Sequence, residues 1–194
     1  MKYVKMLGLL AVAAAALMAV AGSASATGLT TSTGATYSGP IHASAGTGEL
    51  HGEAFTVHCT GSTVSANVTT QSSTTTVHGP VTALSFSNCN FPVTVLKTGT
   101  LIAHTKTTVN DGNGTLTSDG AEITIHGPFG INCIFTTKET DIGTLTGSKN
   151  TKGTAKLDID SSLIPRTGHS AFCGANGEWT GSYTVSTPDY LDIH

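Results

Sequence analysis

The sequence predicts an all-β protein, an antiparallel immunoglobulin-like β-sandwich with two disulfides. Three observations predict it. Apolar and polar residues alternate with period 2 along most of the chain, and no helical period competes with them. Turn signals punctuate those runs at Gly79-Pro80, Asp111-Gly112-Asn113-Gly114, Asp119-Gly120, Gly127-Pro128 and Asn176-Gly177. Four cysteines, Cys59, Cys89, Cys133 and Cys173, follow an export signal, and an even number in that setting reads as two disulfides.

The export signal comes first. Lys2 and Lys5 precede an apolar run from Leu7 to Ala21, which ends in the small residues Gly22-Ser23-Ala24-Ser25-Ala26. That order marks residues 1–26 as a secretory signal peptide cleaved after Ala26. The apolar run is short of the roughly 20 residues a membrane span needs, and no later segment is long enough either. The expected location is therefore secreted or extracellular. Residues 27–48 are rich in Gly, Ser and Thr and read as a flexible arm or a poorly patterned first strand around Tyr37 and Ile41. Residues 49–194 read as a single sandwich domain.

The strands follow from alternation. Phe55, Val57 and Cys59 share one face, and Val64, Ala66 and Val68 repeat the pattern. Leu84 with Phe86, Val93 with Val95, Ile123 with Ile125, and Ile131, Cys133 and Phe135 continue it. Leu157 and Ile159 alternate with Lys156, Asp158 and Asp160. The clearest strand sets Trp179, Gly181, Tyr183 and Val185 against Thr180, Ser182, Thr184 and Ser186. Roughly eight to ten such strands without helices between them argue against an α/β enzyme fold. Thr-Val-His-Gly-Pro at 76–80 and Thr-Ile-His-Gly-Pro at 124–128 read as two strands that each end in a Gly-Pro turn.

No two cysteines stand at the short spacing of a zinc knuckle, so disulfides are preferred to a metal site. Of the three possible connectivities the sequential one, Cys59 with Cys89 and Cys133 with Cys173, is favoured.

Charge excludes further classes. Charged residues make up 11% of the chain, and 9 Lys+Arg against 12 Asp+Glu supply no basic face, so no nucleic-acid partner is expected. Segment 111–122 resembles a calcium loop in the spacing of its oxygen-bearing residues. Leu116, however, occupies the position where that loop needs glycine, and a hairpin turn accounts for the same residues. Ile164-Pro165-Arg166-Thr167-Gly168 resembles a cell-wall sorting pentapeptide but lacks the apolar segment that must follow it.

Eight histidines (His42, His51, His58, His78, His104, His126, His169 and His194) show no metal-binding spacing. His51 and His58, seven apart, belong on opposite faces of a regular strand, and Glu49 and Glu53 have no obvious acid-base partner. No nucleophile elbow is present, so no catalytic residue, metal or cofactor is expected.

Leu84-Ser85-Phe86-Ser87-Asn88-Cys89, and the ending that runs from Cys173 through Trp179-Thr180-Gly181-Ser182-Tyr183-Thr184-Val185, resemble uncharacterised small secreted four-cysteine β-proteins of high-GC Gram-positive bacteria. More distantly, a signal peptide followed by a Ser/Thr-rich β-domain is similar to exported proteins of the alkane-oxidation activator and biofilm-matrix type. That resemblance implies no catalytic residue, because the group has no catalytic motif to match.

The expected function is that of a non-catalytic secreted protein in a surface, matrix or adhesive role, self-associating through an edge strand. The alternative is an extracellular small-ligand or carbohydrate binder with an apolar pocket lined by aromatics such as Trp179 or Phe172. A hydrolase comes last and needs His51, His58 and Glu53 to converge.

Overall fold

The computed structural model describes residues 28–53, 55–71, 76–105, 111–165 and 171–194. The expected signal peptide at 1–26 and residues 166–168 of the sorting-like pentapeptide lie outside them. The strands in chain order are β1 (Leu29–Thr30), β2 (Gly39–Ala45), β3 (Gly48–Gly52), β4 (Thr56–Val68), β5 (Thr70–Gln71), β6 (Thr76–Cys89), β7 (Val93–Lys97) and β8 (Thr100–Thr105). There follow β9 (Gly114–Asp119), β10 (Glu122–His126), β11 (Asn132–Thr136), β12 (Thr140–Thr146), β13 (Lys156–Pro165), β14 (Gly177–Thr187) and β15 (Asp192–Ile193). Among the described residues only single turns of helix interrupt them, as at Ser148–Thr151.

The chain is all-β with two disulfides, as expected. The pairing, however, does not divide into the two packed sheets of an immunoglobulin-like sandwich. β4 pairs β6, then β8, β9, β12, β13 and β14 follow, each antiparallel to the last. β2 and β3, lying end to end, then bond β14 on one side and β4 on the other. The ring of eight positions is closed. Period-2 alternation is common to sandwiches and barrels; what separates them is whether the first strand meets the last.

Here the first strand position is built from the stretch read as an arm or a poorly patterned first strand. Its residues are small: Ala43 and Ala45 are buried, and Gly48 lies beneath the Trp179 ring. A Cβ at Gly48 would fall 2.5 Å from Trp179 Cζ2, so a larger residue would displace that ring. Of the two readings of this stretch, arm or first strand around Tyr37 and Ile41, β2 follows the second, with both of its edges hydrogen-bonded.

Two apolar cores fill the ends of the barrel. At one end Leu29, Leu191 and Ile193 of the β1–β15 ribbon pack with Val77, Leu145, Tyr183 and Val185. Asp192, Tyr190, Lys149 and Ser148 bind this end together: Asp192 Oδ1 accepts from Lys149 N at 3.1 Å, and Oδ2 accepts from the Tyr190 hydroxyl at 2.8 Å. At the other end a three-stranded lobe, β7–β10–β11, lies across the opening and joins the barrel where Phe135 and Thr136 pair with Pro165 and Ile164. Its Ile123, Ile125, Cys133 and Phe135 pack against Leu50, Val57, Leu163 and Trp179.

The disulfides are Cys59–Cys89, across paired strands, and Cys133–Cys173, which ties the lobe to the segment before β14. Gly79-Pro80 ends no strand, contrary to expectation. It lies inside β6, where the β8 ladder stops at Pro80↔Thr100 and the β4 ladder stops at Val81↔Ala66. A residue without an amide hydrogen is tolerated at such a junction. Gly127-Pro128 does end β10.

Candidate functional site

Between the two cores lies a partly open cavity of about 120 Å³. Its walls are built by inward positions of the barrel strands. β13 contributes Leu157, Ile159, Ser161 and Leu163, and β14 contributes Trp179 and Tyr183. β6 adds Leu84 and Phe86, β9 adds Leu116, and the lobe supplies Ile123 and Phe135 as a roof. Phe86 meets Trp179 edge to face at a centroid distance of 4.9 Å and an interplanar angle of 78°. Gly177 leaves room for the roof, since a Cβ there would come within 2.8 Å of Phe135 Cε1. An eight-stranded barrel is about wide enough for side chains to fill it or for one small ligand to enter, and this interior stops short of full.

Polar groups on the cavity wall are few, and nearly all are engaged. Thr98 Oγ1 donates to the Val81 carbonyl at 2.6 Å and Thr136 Oγ1 to the Ala121 carbonyl at 3.0 Å. Ser118 and Thr137 hydroxyls bond each other at 3.0 Å. The buried carboxylate of Glu122 accepts from Lys97 Nζ at 2.9 Å across the β7–β10 ladder. Ser62 Oγ donates to the Ser85 carbonyl at 3.0 Å and so accepts from the Tyr183 hydroxyl at 2.8 Å. The exception is Ser161. Its side chain is 1% exposed, and its Oγ has no hydrogen-bond partner among the described residues. A buried hydroxyl left unsatisfied costs about 1–3 kcal/mol.

Burial pushes the Tyr183 phenol above its ordinary value, and its hydrogen bonds with Ser62 and Trp179 offset part of that. An unfolded tyrosine titrates near pH 10. The folded value is higher, so this contribution to stability is complete below about pH 10 and is lost as pH rises through the folded value. Tyr183→Phe is expected to flatten the alkaline fall in stability while lowering stability at pH 7 by about 1 kcal/mol, the worth of one hydrogen bond. Urea unfolding of both proteins at neutral and alkaline pH checks this. Tyr37, raised by burial, and Tyr190, raised by its hydrogen bond to Asp192, are present in both proteins and cancel in the comparison.

The structure disperses some of the residues singled out in the sequence and gathers others. Phe172 is 67% exposed and lines no wall of the cavity, whereas Trp179 does. His51 and His58 are not on opposite faces. The chain turns between β3 and β4, Glu49 pairs with His58, and all three side chains share the outer surface. Glu49 Oε2 lies 3.1 Å from His51 Nε2, and Oε1 lies 2.9 Å from His58 Nδ1. Residues 51–58 span the end of β3 and the start of β4 and are not one strand, so the two-residue alternation does not carry across them. Glu53 points elsewhere and accepts from Ala175 N at 3.0 Å.

The calcium-like segment is also divided. Asp111 Oδ1 accepts from Asn113 N, Asp119 Oδ1 accepts from Glu139 N, and Glu122 faces Lys97. Residues between them form β9, so the oxygens run along a strand instead of converging. Among the described residues no three His, Cys, Asp or Glu side chains are placed to hold a metal ion. No helix among them is long and apolar enough to cross a membrane.

No family model, no curated protein and no solved structure matches this chain. The cavity therefore has to be read from its own chemistry. Sequence reasoning missed Phe86, Phe135 and Ser161 as members of one site. A signal for Ser161 was present: it continues the inward set Leu157, Ile159 and Leu163 as the one polar member.

Proposed function

We propose that this chain is an exported, non-catalytic β-barrel that binds a small neutral apolar molecule in its interior. The observation that carries the reading is the cavity of about 120 Å³ walled by Trp179, Phe86, Phe135 and aliphatic side chains. Size decides the ligand class. An engineered apolar cavity of ~150 Å³ takes up benzene or xenon, whereas drug-sized ligands need roughly 300–1,000 Å³. The interior therefore suits one ring and is too small to bury a whole sterol or fatty acyl chain. Export is supported by the N-terminal apolar run and by two disulfides, which are compatible with an oxidising compartment. The outward strand positions carry Lys156, Asp158, Asp160 and Thr184, the reverse of a lipid-facing barrel, which is apolar outside and polar within.

Thermal unfolding tests the reading. A seven-atom ring compound held at about 0.8 kcal/mol per heavy atom binds with a Kd on the order of 0.1 mM. At ten times that concentration toluene is expected to stabilise the protein by about 1.4 kcal/mol, raising Tm by roughly 3–6 °C, while decanoate does not. Equal shifts with both, or none with toluene, would contradict it.

A matrix or adhesive role is the second reading, favoured by the outer strand of the lobe. β7 is laddered on one side only among the described residues, and Leu96 on it is exposed, as is Phe129 at the β10–β11 tip. Sedimentation that stays monomeric at all concentrations would remove self-association through β7.

A further inference from the structure

Resting on the reading of the interior as a ligand cavity, we infer that the bound molecule carries one neutral oxygen function, a hydroxyl or a carbonyl, which hydrogen-bonds Ser161 Oγ. Ser161 faces inward from β13 directly across from Trp179 on β14, in the middle of the apolar wall. Every other hydroxyl on that wall already makes a hydrogen bond within the protein: Thr98, Thr136 and Tyr183 donate to protein oxygens, and Ser118 and Thr137 bond each other. Ser161 Oγ is buried to 1% exposure and has no partner among the described residues.

An alanine would fill the same inward position without an unsatisfied hydroxyl. A serine at that position is explained when the occupant completes its hydrogen bond, because a serine hydroxyl both donates and accepts. The ligand must be neutral. The charged group on the wall is the Glu122 carboxylate, already answered by Lys97, and an anionic ligand would be buried beside it without a counter-charge. The class is thus a ring-sized phenol, alcohol or ketone, not a hydrocarbon and not an acid.

The test uses two probes of equal size, phenol and toluene, titrated calorimetrically into the protein and into Ser161→Ala. Toluene reports whether the cavity admits a ring; the phenol-to-toluene affinity ratio reports whether Ser161 reads the oxygen. The ratio is expected to fall at least about 5-fold in Ser161→Ala, with toluene affinity held or improved. A ratio unchanged by the substitution overturns the inference and leaves the cavity reading standing. Failure of both probes to bind overturns the cavity reading, and the inference with it.

A second readout needs no ligand. Removing an unsatisfied hydroxyl is expected to leave Ser161→Ala as stable as the parent or more so. A Tm lowered by several degrees would show that Ser161 already has a partner and would overturn the inference. Ser161→Cys, which is only slightly larger but bonds weakly, should show the same fall in the phenol-to-toluene ratio if the alanine variant folds poorly.

Discussion

Replacing Cys133 and Cys173 together by alanine is expected to lower stability by about 4 kcal/mol and Tm by roughly 8–16 °C. The two residues are 40 apart in sequence, and the chain-entropy value for a loop of that length gives the first figure. Cys59→Ala with Cys89→Ala opens a loop of nearly the same length, 30, and should cost nearly as much. The two variants differ in where the loss falls. Cys59 and Cys89 are already partners in the β4–β6 ladder, so that pair of strands remains joined without the bond. The lobe has less to hold it. Phe135↔Pro165 and Thr136↔Ile164 are its backbone attachments to β13, and Cys133–Cys173 secures the far end of β11. Amide exchange should therefore speed up selectively in β10 and β11 of the Cys133/Cys173 variant. Exchange that accelerates evenly over barrel and lobe would contradict this division.

Phe135→Ala is expected to cost about 3–5 kcal/mol, the range for deleting a fully buried phenylalanine ring. Phe135 is 1% exposed and roofs the cavity from the lobe, with its ring against Gly177. The packing that surrounds it belongs to two layers, strands of the barrel below and β10 alongside, so collapse into the vacated space is limited. The deletion thus enlarges the cavity as well as destabilising the fold. Naphthalene, too large for the parent interior, should stabilise the variant, and toluene should stabilise both. Chemical unfolding with and without each compound measures both effects. A loss under about 1 kcal/mol, or the same ligand preference in variant and parent, would mean that Phe135 does not bound the cavity.

The strands were legible because alternation is a local property. Val57, Cys59, Ala66 and Val68 are buried on β4 where the pattern places them, and so are Trp179, Tyr183 and Val185 on β14. Closure was not legible, because it depends on which strands become neighbours. β2 carries Gly39, Pro40, Ser44 and two alanines, a composition that suits a place between two strands but leaves arm and strand undecided when read alone. The same limit hid the Glu49–His51–His58 contact, which arises across a turn. The cavity was the least legible feature: Phe86, Phe135, Ser161 and Trp179 come from four strands and meet only when the ring is closed.

Trp179 offers the most direct measurement. It is the one tryptophan in the chain, and its ring forms part of the cavity wall. Titration with toluene, followed by Trp179 emission, should give a saturable change with one site per chain and a Kd on the order of 0.1 mM. Emission that stays constant up to the solubility limit of toluene, in protein whose folding is verified by its melting transition, would contradict a ligand-binding interior.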